Sequence, residues 1–243
     1  YQKSEGTRYG EFYGYIAEGY FQSEEEIKKS PRQMRELAPG DIKYKDLNDD
    51  GVIDANDQCY LGKSWFPSWS YGMGFNINYH NFDLALFFQG VSDVSIMANG
   101  GSIDTGNGDW GASGVGIVPF TGMGLNPSNV ITKALDRWTA DNPRADAWYP
   151  RMTANATTND NNYVNSTHWL KDGSYLRLKQ ASLGYTLENK KLMDKGIEYL
   201  YFYLSGQNLL TFSKFKLWDP ELGSNGAKYP LSRMVTLGMR VSF

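Results

Sequence analysis

Asp46, Asn48 and Asp50 place side-chain oxygens at the first, third and fifth positions of a short segment whose sixth residue is Gly51. Val52 follows at the seventh, Ile53 at the eighth, Asp54 at the ninth and Asp57 at the twelfth. A hard divalent cation such as calcium collects its oxygen ligands from one loop at this spacing, with glycine where the chain turns sharply. In that reading Asp46, Asn48 and Asp50 supply side-chain oxygens, Val52 its carbonyl and Asp57 the closing carboxylate, while Asp54 acts through a water. The same residue types also suit a metal-free turn, since Asp, Asn and Gly are turn formers. An EF-hand switch fits less well. That motif needs a flanking helix on each side and usually Glu at its twelfth position, whereas Gly40–Lys45 reads as extended. The expectation is a structural calcium loop at 46–57.

Little else in the chain has the spacing of reactive chemistry. One cysteine, Cys59, allows no internal disulfide, and His80 and His168 lie far apart, so neither a zinc site nor a Cys–His nucleophile is signalled. No nucleophile elbow occurs, and the glycines between Gly111 and Gly116 do not make a phosphate-binding loop. No pair of acids is singled out for glycoside hydrolysis, so no enzyme is expected. The Asn155 and Asn165 sequons lie in an Asn-rich stretch and read as chance.

The elements that must position the loop are β-strands. Aromatic content is 15%, with 17 Tyr and 7 Trp among 243 residues, and there are 26 Gly, a β-rich profile. Mean hydropathy is −0.51 and no apolar run reaches the ~18–20 residues of a membrane helix. That leaves open a membrane barrel, whose strands alternate and therefore average out as polar. Net charge is −3 with mixed signs and no basic block, so nucleic acid is not an expected partner. Tyr1 opens the sequence without a signal peptide, as a processed chain or a piece of a longer one would.

Period-two alternation marks the strands. Tyr71, Met73, Phe75, Ile77 and Tyr79 oppose Gly72, Gly74, Asn76, Asn78 and His80; after a tight turn at His80-Asn81, Phe82, Leu84, Leu86 and Phe88 oppose Asp83, Ala85, Phe87 and Gln89. Leu176 and Leu178 are followed by Ala181, Leu183, Tyr185 and Leu187, a slip in parity that predicts a β-bulge. Leu200, Phe202 and Leu204 alternate with Tyr199, Tyr201 and Tyr203, and Val235, Leu237, Met239, Val241 and Phe243 with Thr236, Gly238, Arg240 and Ser242. Tyr9–Phe21 is a weaker sixth strand, placed first. Only Ser23–Arg35 reads as helical, with Pro31 interrupting it.

Connections between these six strands run about 45–50, two, roughly 80, under ten and about 20 residues. Strict long–short alternation puts long loops, about 22–68, 93–172 and 212–230, at one end of an up-and-down barrel and tight turns at the other, as in outer-membrane barrels. Trp69, Tyr71 and Tyr79 sit near strand ends, where aromatic belts are expected. The alternation alone serves a soluble β-sandwich equally well. The loop asymmetry and the terminal Phe243 favour the barrel.

Several segments carry a resemblance to a known family: Pro39–Asn48 leading into the calcium-type loop, Tyr79–Gly90, Asp136–Thr139, Trp169–Lys179, Leu183–Leu187 and Ser205–Thr211. In order, and across essentially the whole chain, they resemble the C-terminal region of SusC/RagA-type TonB-dependent outer-membrane transporters. The resemblance implies an all-β transmembrane antiparallel barrel of 22 strands, of which these six would be the last. It also implies an N-terminal plug and a TonB-contacting segment, neither of which lies in these residues. Six strands have two open edges and cannot close a barrel in lipid.

The implied function is TonB-driven import of a large nutrient across a Bacteroidetes-type outer membrane. The cargo would be an oligosaccharide or sometimes a peptide, with a SusD-like surface lipoprotein as partner. Phe243 would be the signal read by the barrel-assembly machinery. Trp110, Trp138, Trp148, Trp169 and Trp218, in or beside the long loops, could stack on sugar rings or contact the lipoprotein; such aromatics also commonly pin loops together. The alternative function is a secreted, calcium-stabilised carbohydrate-binding β-sandwich.

Overall fold

A computed structural model describes residues 6–99, 132–152, 160–224, 226, 229 and 231–243. Trp110, the Gly111–Gly116 stretch and Asn155 lie outside the described residues. The chain divides into two compact units. One comprises Tyr1–Phe66, Val94–Asp172 and Leu217–Lys228, and the other Pro67–Asp93, Gly173–Lys216 and Tyr229–Phe243.

The first unit is built from short elements. Strands β1 (Glu11–Gly14) and β2 (Ala17–Tyr20) lead into helix α1 (Glu24–Lys29), followed by β3 (Ile42–Tyr44) and β4 (Cys59–Ser64). β1 pairs antiparallel with β4, and β2 with β3. This corrects the expectation of one strand over Tyr9–Phe21. The chain breaks after Gly14, and its halves pair within this unit rather than joining the large sheet. The Ser23 hydroxyl caps α1 by accepting from the Glu26 N–H, and three glutamates occupy the first turn. The helix ends at Lys29, shorter than Ser23–Arg35, because Pro31 has no N–H to donate and restricts the residue before it.

The second unit is one antiparallel sheet. Its strands are β5 (Trp69–Tyr79), β6 (Phe82–Ser92), β9 (Tyr175–Leu187), β10 (Tyr199–Ser213) and β11 (Met234–Ser242), in the order β11-β10-β9-β6-β5. Two three-residue strands of the first unit, β7 (Ser95–Met97) and β8 (Leu170–Asp172), pair with each other between β6 and β9 in sequence. β5 and β6 are joined by His80 and Asn81, with His80 at φ +49°, the left-handed backbone a two-residue hairpin requires. The predicted bulge is present. Register shifts on both sides of β9, against Phe87/Phe88 of β6 and Gln207/Leu210 of β10, fall between Leu178 and Gln180. The β9–β10 connection is residues 188–198, longer than the expected under-ten, because it holds the helical turn Lys190–Met193 capped by the Asn189 side chain.

Candidate functional site

The two faces of the large sheet differ sharply in chemistry. Ile77, Leu84, Leu183, Leu204 and Leu237 form one row across all five strands; Tyr79, Phe82, Tyr185, Phe202 and Met239 form the next. Ile77, Leu204 and Leu237 are 55%, 47% and 79% exposed, and Met73, Phe75, Val235 and Met239 are also exposed. Apolar side chains in such rows are ordinarily hidden from water, so this face is shaped for an apolar surround. The carbohydrate-binding sandwich requires the opposite, a second sheet packed over these rows.

On the other face, Asn76, Ala85, Ser182, Ser205 and Thr236 make one row and Asn78, Asp83, Gly184, Tyr203 and Gly238 another. The Tyr201 hydroxyl donates to Asp83 Oδ2 at 3.0 Å, the Arg240 guanidinium lies 5.9 Å from the Tyr201 ring centre, and the Tyr201 and Tyr203 rings stack. Gly238 leaves room that the Tyr203 ring fills; the space beside Gly184 is filled by the Tyr201 hydroxyl and the Asp83 carboxylate.

The 46–57 loop folds as a run of side-chain-to-backbone turns. Asp46 Oδ2 accepts from the Gly51 N–H at 2.8 Å, Asn48 Oδ1 from Asp50 at 3.1 Å and Asp50 Oδ1 from Val52 at 2.8 Å. Asp57 is fully buried and accepts from the Leu47 and Asp54 amides, both at 2.8 Å. Asp49 and Gly51 have φ of +57° and +82°, so the tight turn falls at the expected glycine. Arg32 bridges the loop, donating to the Gly51 carbonyl and accepting from the Ile53 N–H. In an extended segment successive carbonyls point to opposite sides, so the Val52 carbonyl faces away from this bridge.

Among the described residues, no three His, Cys, Asp or Glu side chains gather as a metal-holding group. The predicted set is wider than that, since it also uses the Asn48 amide oxygen and the Val52 carbonyl. One feature fits a cation. Asp46 Oδ1 is a buried oxygen with no hydrogen-bond partner, while Oδ2 of the same carboxylate is held by Gly51.

Trp138, Trp169, Tyr149 and Tyr44 are core residues of the first unit. Trp169 is fully buried, donates its indole N–H to the Asn162 carbonyl at 2.7 Å, and has the rings of Trp148, Tyr149, Tyr163 and His168 within 6 Å. Trp138 is 6% exposed and covers Gly40, where the backbone turns with φ +92°. These two therefore pin loops together instead of presenting a face to a ligand, which corrects that part of the expected contact set. Trp148 and Trp218 are half-buried; Trp218 donates to the Gly223 carbonyl at 2.8 Å.

The sequence reading missed a buried polar network joining segments more than a hundred residues apart. The Gln33 side chain donates to the Ile42 carbonyl and to Asn161 Oδ1, and accepts from the Tyr44 N–H. Asn162 accepts from Ile42 N–H and donates to Asp41 Oδ1, while Arg151 Nη2 donates to Asp41 Oδ2 at 3.0 Å. These amides satisfy the backbone of β3 where another strand would otherwise pair. The only sequence signal was the paired Asn161-Asn162, which reads like any polar loop. Nearby, burial and the Lys171 ammonium push His168 down to about 4, against a hydrogen bond to the Trp148 carbonyl that favours the charged ring.

No protein-family profile matches the chain. Two proteins of Formosa agariphila do: TonB-dependent receptor P26 is 30% identical over 93% of the chain, and TonB-dependent receptor P3 is 28% identical over 98%. The chain spans only about a fifth of their length, 22% in each case. Among solved structures, the RagAB peptide importer in its open-open state superposes on 96% of the chain with a TM-score of 0.62 at 23% identity, covering 22% of that protein. The closed-closed state gives 0.61 at the same identity. The relatives match nearly the whole sequence over about a fifth of their own length, and the RagAB structures share its fold; the chain is similar to one portion of TonB-dependent receptors.

Proposed function

We propose that the protein containing this chain imports a large nutrient across the outer membrane, driven through TonB, without covalent chemistry on its cargo. The observation that carries this reading is the match of nearly the whole chain to about a fifth of the length of TonB-dependent receptors, together with a five-stranded sheet whose apolar rows lie exposed. Such rows suit lipid, and the polar face opposite suits a barrel interior. In this reading the five strands join others of the longer chain to complete a barrel.

The cargo we favour is an oligosaccharide, with a peptide as the second possibility, since RagAB, whose structure shares this fold, is a peptide importer. A surface lipoprotein of the SusD type is the proposed partner, resting on the two-component RagAB structures. The test is uptake by cells carrying or lacking the full-length protein. Labelled oligosaccharide should accumulate only in the former and only while the inner membrane is energised. Equal uptake by both strains, or uptake indifferent to an uncoupler, would count against the proposal.

We also propose calcium in the 46–57 loop, held by Asp46, Asn48, Asp50, the Val52 carbonyl and Asp57, with Asp54 through a water. The ion would supply no chemistry beyond cross-linking the loop. Support comes from the ligand spacing and the orphaned Asp46 Oδ1. Finally, Phe243, 84% exposed just beyond β11, is proposed as the terminal anchor read by the barrel-assembly machinery, through strand pairing and alternate side-chain pockets. Deleting it from the full-length protein should sharply lower the outer-membrane level; normal insertion would exclude that role.

A further inference from the structure

Lys171, the middle residue of β8, is a cation whose side chain is held in place. Its Nζ donates to the His168 carbonyl at 2.6 Å and lies 5.3 Å from the centre of the Trp148 ring. Its backbone is fixed as well, opposite Ile96 of β7. A lysine side chain gives up rotamer freedom when it is held, and its ammonium ordinarily stays in water or meets a carboxylate. Among the described residues no carboxylate meets Lys171. The Asp136 carboxylate is taken by other cations, its Oδ2 by Lys133 at 2.7 Å and its Oδ1 by Arg144 at 2.8 Å. Burial pushes the Lys171 ammonium down from its ordinary value, and the Lys133 ammonium pushes it further the same way. An ammonium offers three donors, and among the described residues one is engaged. Lys171 and Trp148 are both half-buried, so neither is sealed from solvent.

We propose that Lys171, held beside Trp148 and near the Lys133 ammonium, binds a carboxylate of the cargo, and that the cargo is an acidic oligosaccharide carrying uronate sugars. This rests on the oligosaccharide import proposed above and narrows it. A carboxylate on Lys171 gains charge-assisted N–H bonds, and the side chain that makes them is already ordered. It also relieves the repulsion between Lys171 and Lys133. The Trp148 indole offers apolar surface to the carbon-bound face of the sugar ring. The base under this arrangement is rigid: the fully buried Trp169 ring lies 5.5 Å from Trp148 and 4.7 Å from His168. All of these residues belong to the first unit. A lysine that only tied β8 to the His168 carbonyl would bind no anion, and a neutral sugar would leave its other donors to water.

The test is calorimetric titration of the full-length protein in detergent at low salt, paired with uptake by cells that carry it. The probes are a galacturonate oligosaccharide, the same oligosaccharide with its carboxyl groups reduced to alcohols, and a glutamate peptide of equal length. The parent should bind the acidic sugar about tenfold tighter than the reduced one. Lys171→Gln should erase that preference and Lys171→Arg should keep most of it, while Lys63→Gln, at an exposed position of β4, should leave it unchanged. Lys133→Gln serves where Lys171→Gln does not fold: it releases Asp136 to repel an anion and should weaken the acidic sugar alone. Equal affinity for the acidic and reduced sugars, or a preference that survives these substitutions, overturns the site. Tighter binding of the glutamate peptide, dependent on Lys171, overturns the uronate assignment. If neither sugar binds while energised cells still take up the reduced one, the site is overturned and the import reading stands. If cells take up neither sugar, oligosaccharide import is refuted and the site with it.

Discussion

The two units of this chain use the same aromatic-rich vocabulary in opposite ways. In the first, rings point inward: Trp169, Tyr149, Tyr44 and Phe21 are buried to 1% exposure or less, and amides of Gln33, Asn161 and Asn162 close the backbone around them. In the second, rings and aliphatics point outward along β5, β10 and β11, and the polar side chains face the other way. The first unit carries its own core and its own hydrogen-bond partners. The second has two unpaired edge strands, β5 and β11, and an apolar face without a protein cover among the described residues. Its stability is therefore borrowed from whatever completes the sheet and surrounds it, whereas that of the first unit is internal.

The sharpest break in this contrast is Trp169→Ala. Removing a fully buried indole from the first unit should cost about 3–5 kcal/mol, together with the bond to the Asn162 carbonyl. Hydrogen exchange should show faster opening at Asn161–Trp169 while amides of β9 and β10 stay protected. Loss of protection in both units at once would mean that they do not stabilise independently.

Phe75→Arg tests the other side. On a lipid-facing strand near the midplane it should cost about 2–4 kcal/mol in a bilayer. In a soluble sheet with the same exposure, arginine would be close to neutral, so folding titrations in vesicles separate the two surrounds.

Calcium should act on the first unit alone. At a hundredfold excess over its Kd, an ion bound only by the folded form adds about 3 kcal/mol. Asp50→Ala should weaken that gain, and metal analysis of protein purified without chelator should find calcium in the parent. A parent protein with no calcium, and no response to added calcium, would return the loop to a plain turn.

The last effect to expect is with pH. His168 is held neutral in the folded unit with a pKa near 4, below its ordinary value of 6.5. The unfolded chain therefore binds the extra proton first. Local stability should be full above about pH 6.5, fall by at most about tenfold in the opening constant per pH unit between there and 4, and level off below. His168→Gln should flatten that slope, as read by exchange at the surrounding amides; an unchanged slope would assign it to other groups.

How much was legible follows from how each signal is written. The hairpin at His80-Asn81 and the bulge between Leu178 and Gln180 were readable because strands record their faces every second residue, so a slip shows directly. Pro31 marked an interruption, but the helical stretch was expected to run on to Arg35, whereas α1 ends at Lys29. Tyr9–Phe21 misled because two four-residue strands in tandem imitate one longer strand, and nothing local says that Glu11 pairs near Ser64 while Tyr20 pairs with Ile42. Strands of three residues, such as β3, β7 and β8, are too short to carry a period. Tryptophan type was visible but its burial was not, since covering Trp138 takes Gly40, distant in sequence. The network of Gln33, Asp41, Arg151 and Asn162 has no periodicity at all, being specified only by the folded chain.

The glycines beneath the tyrosines bear on how the sheet avoids mistakes while it is being put together. Alternation of apolar and polar residues rejects a strand that slides by one position, because every side chain would then face the wrong way. It is blind to a slide of two, which restores both faces. Tyr203 lies beside Gly238, and a two-residue slide of β11 would set its ring against Thr236 or Arg240 instead. Gly184, hemmed by the Tyr201 hydroxyl and the Asp83 carboxylate, checks β9 in the same manner. The empty positions thus work as the notches of a key, proofreading the even slips that hydrophobic patterning cannot detect.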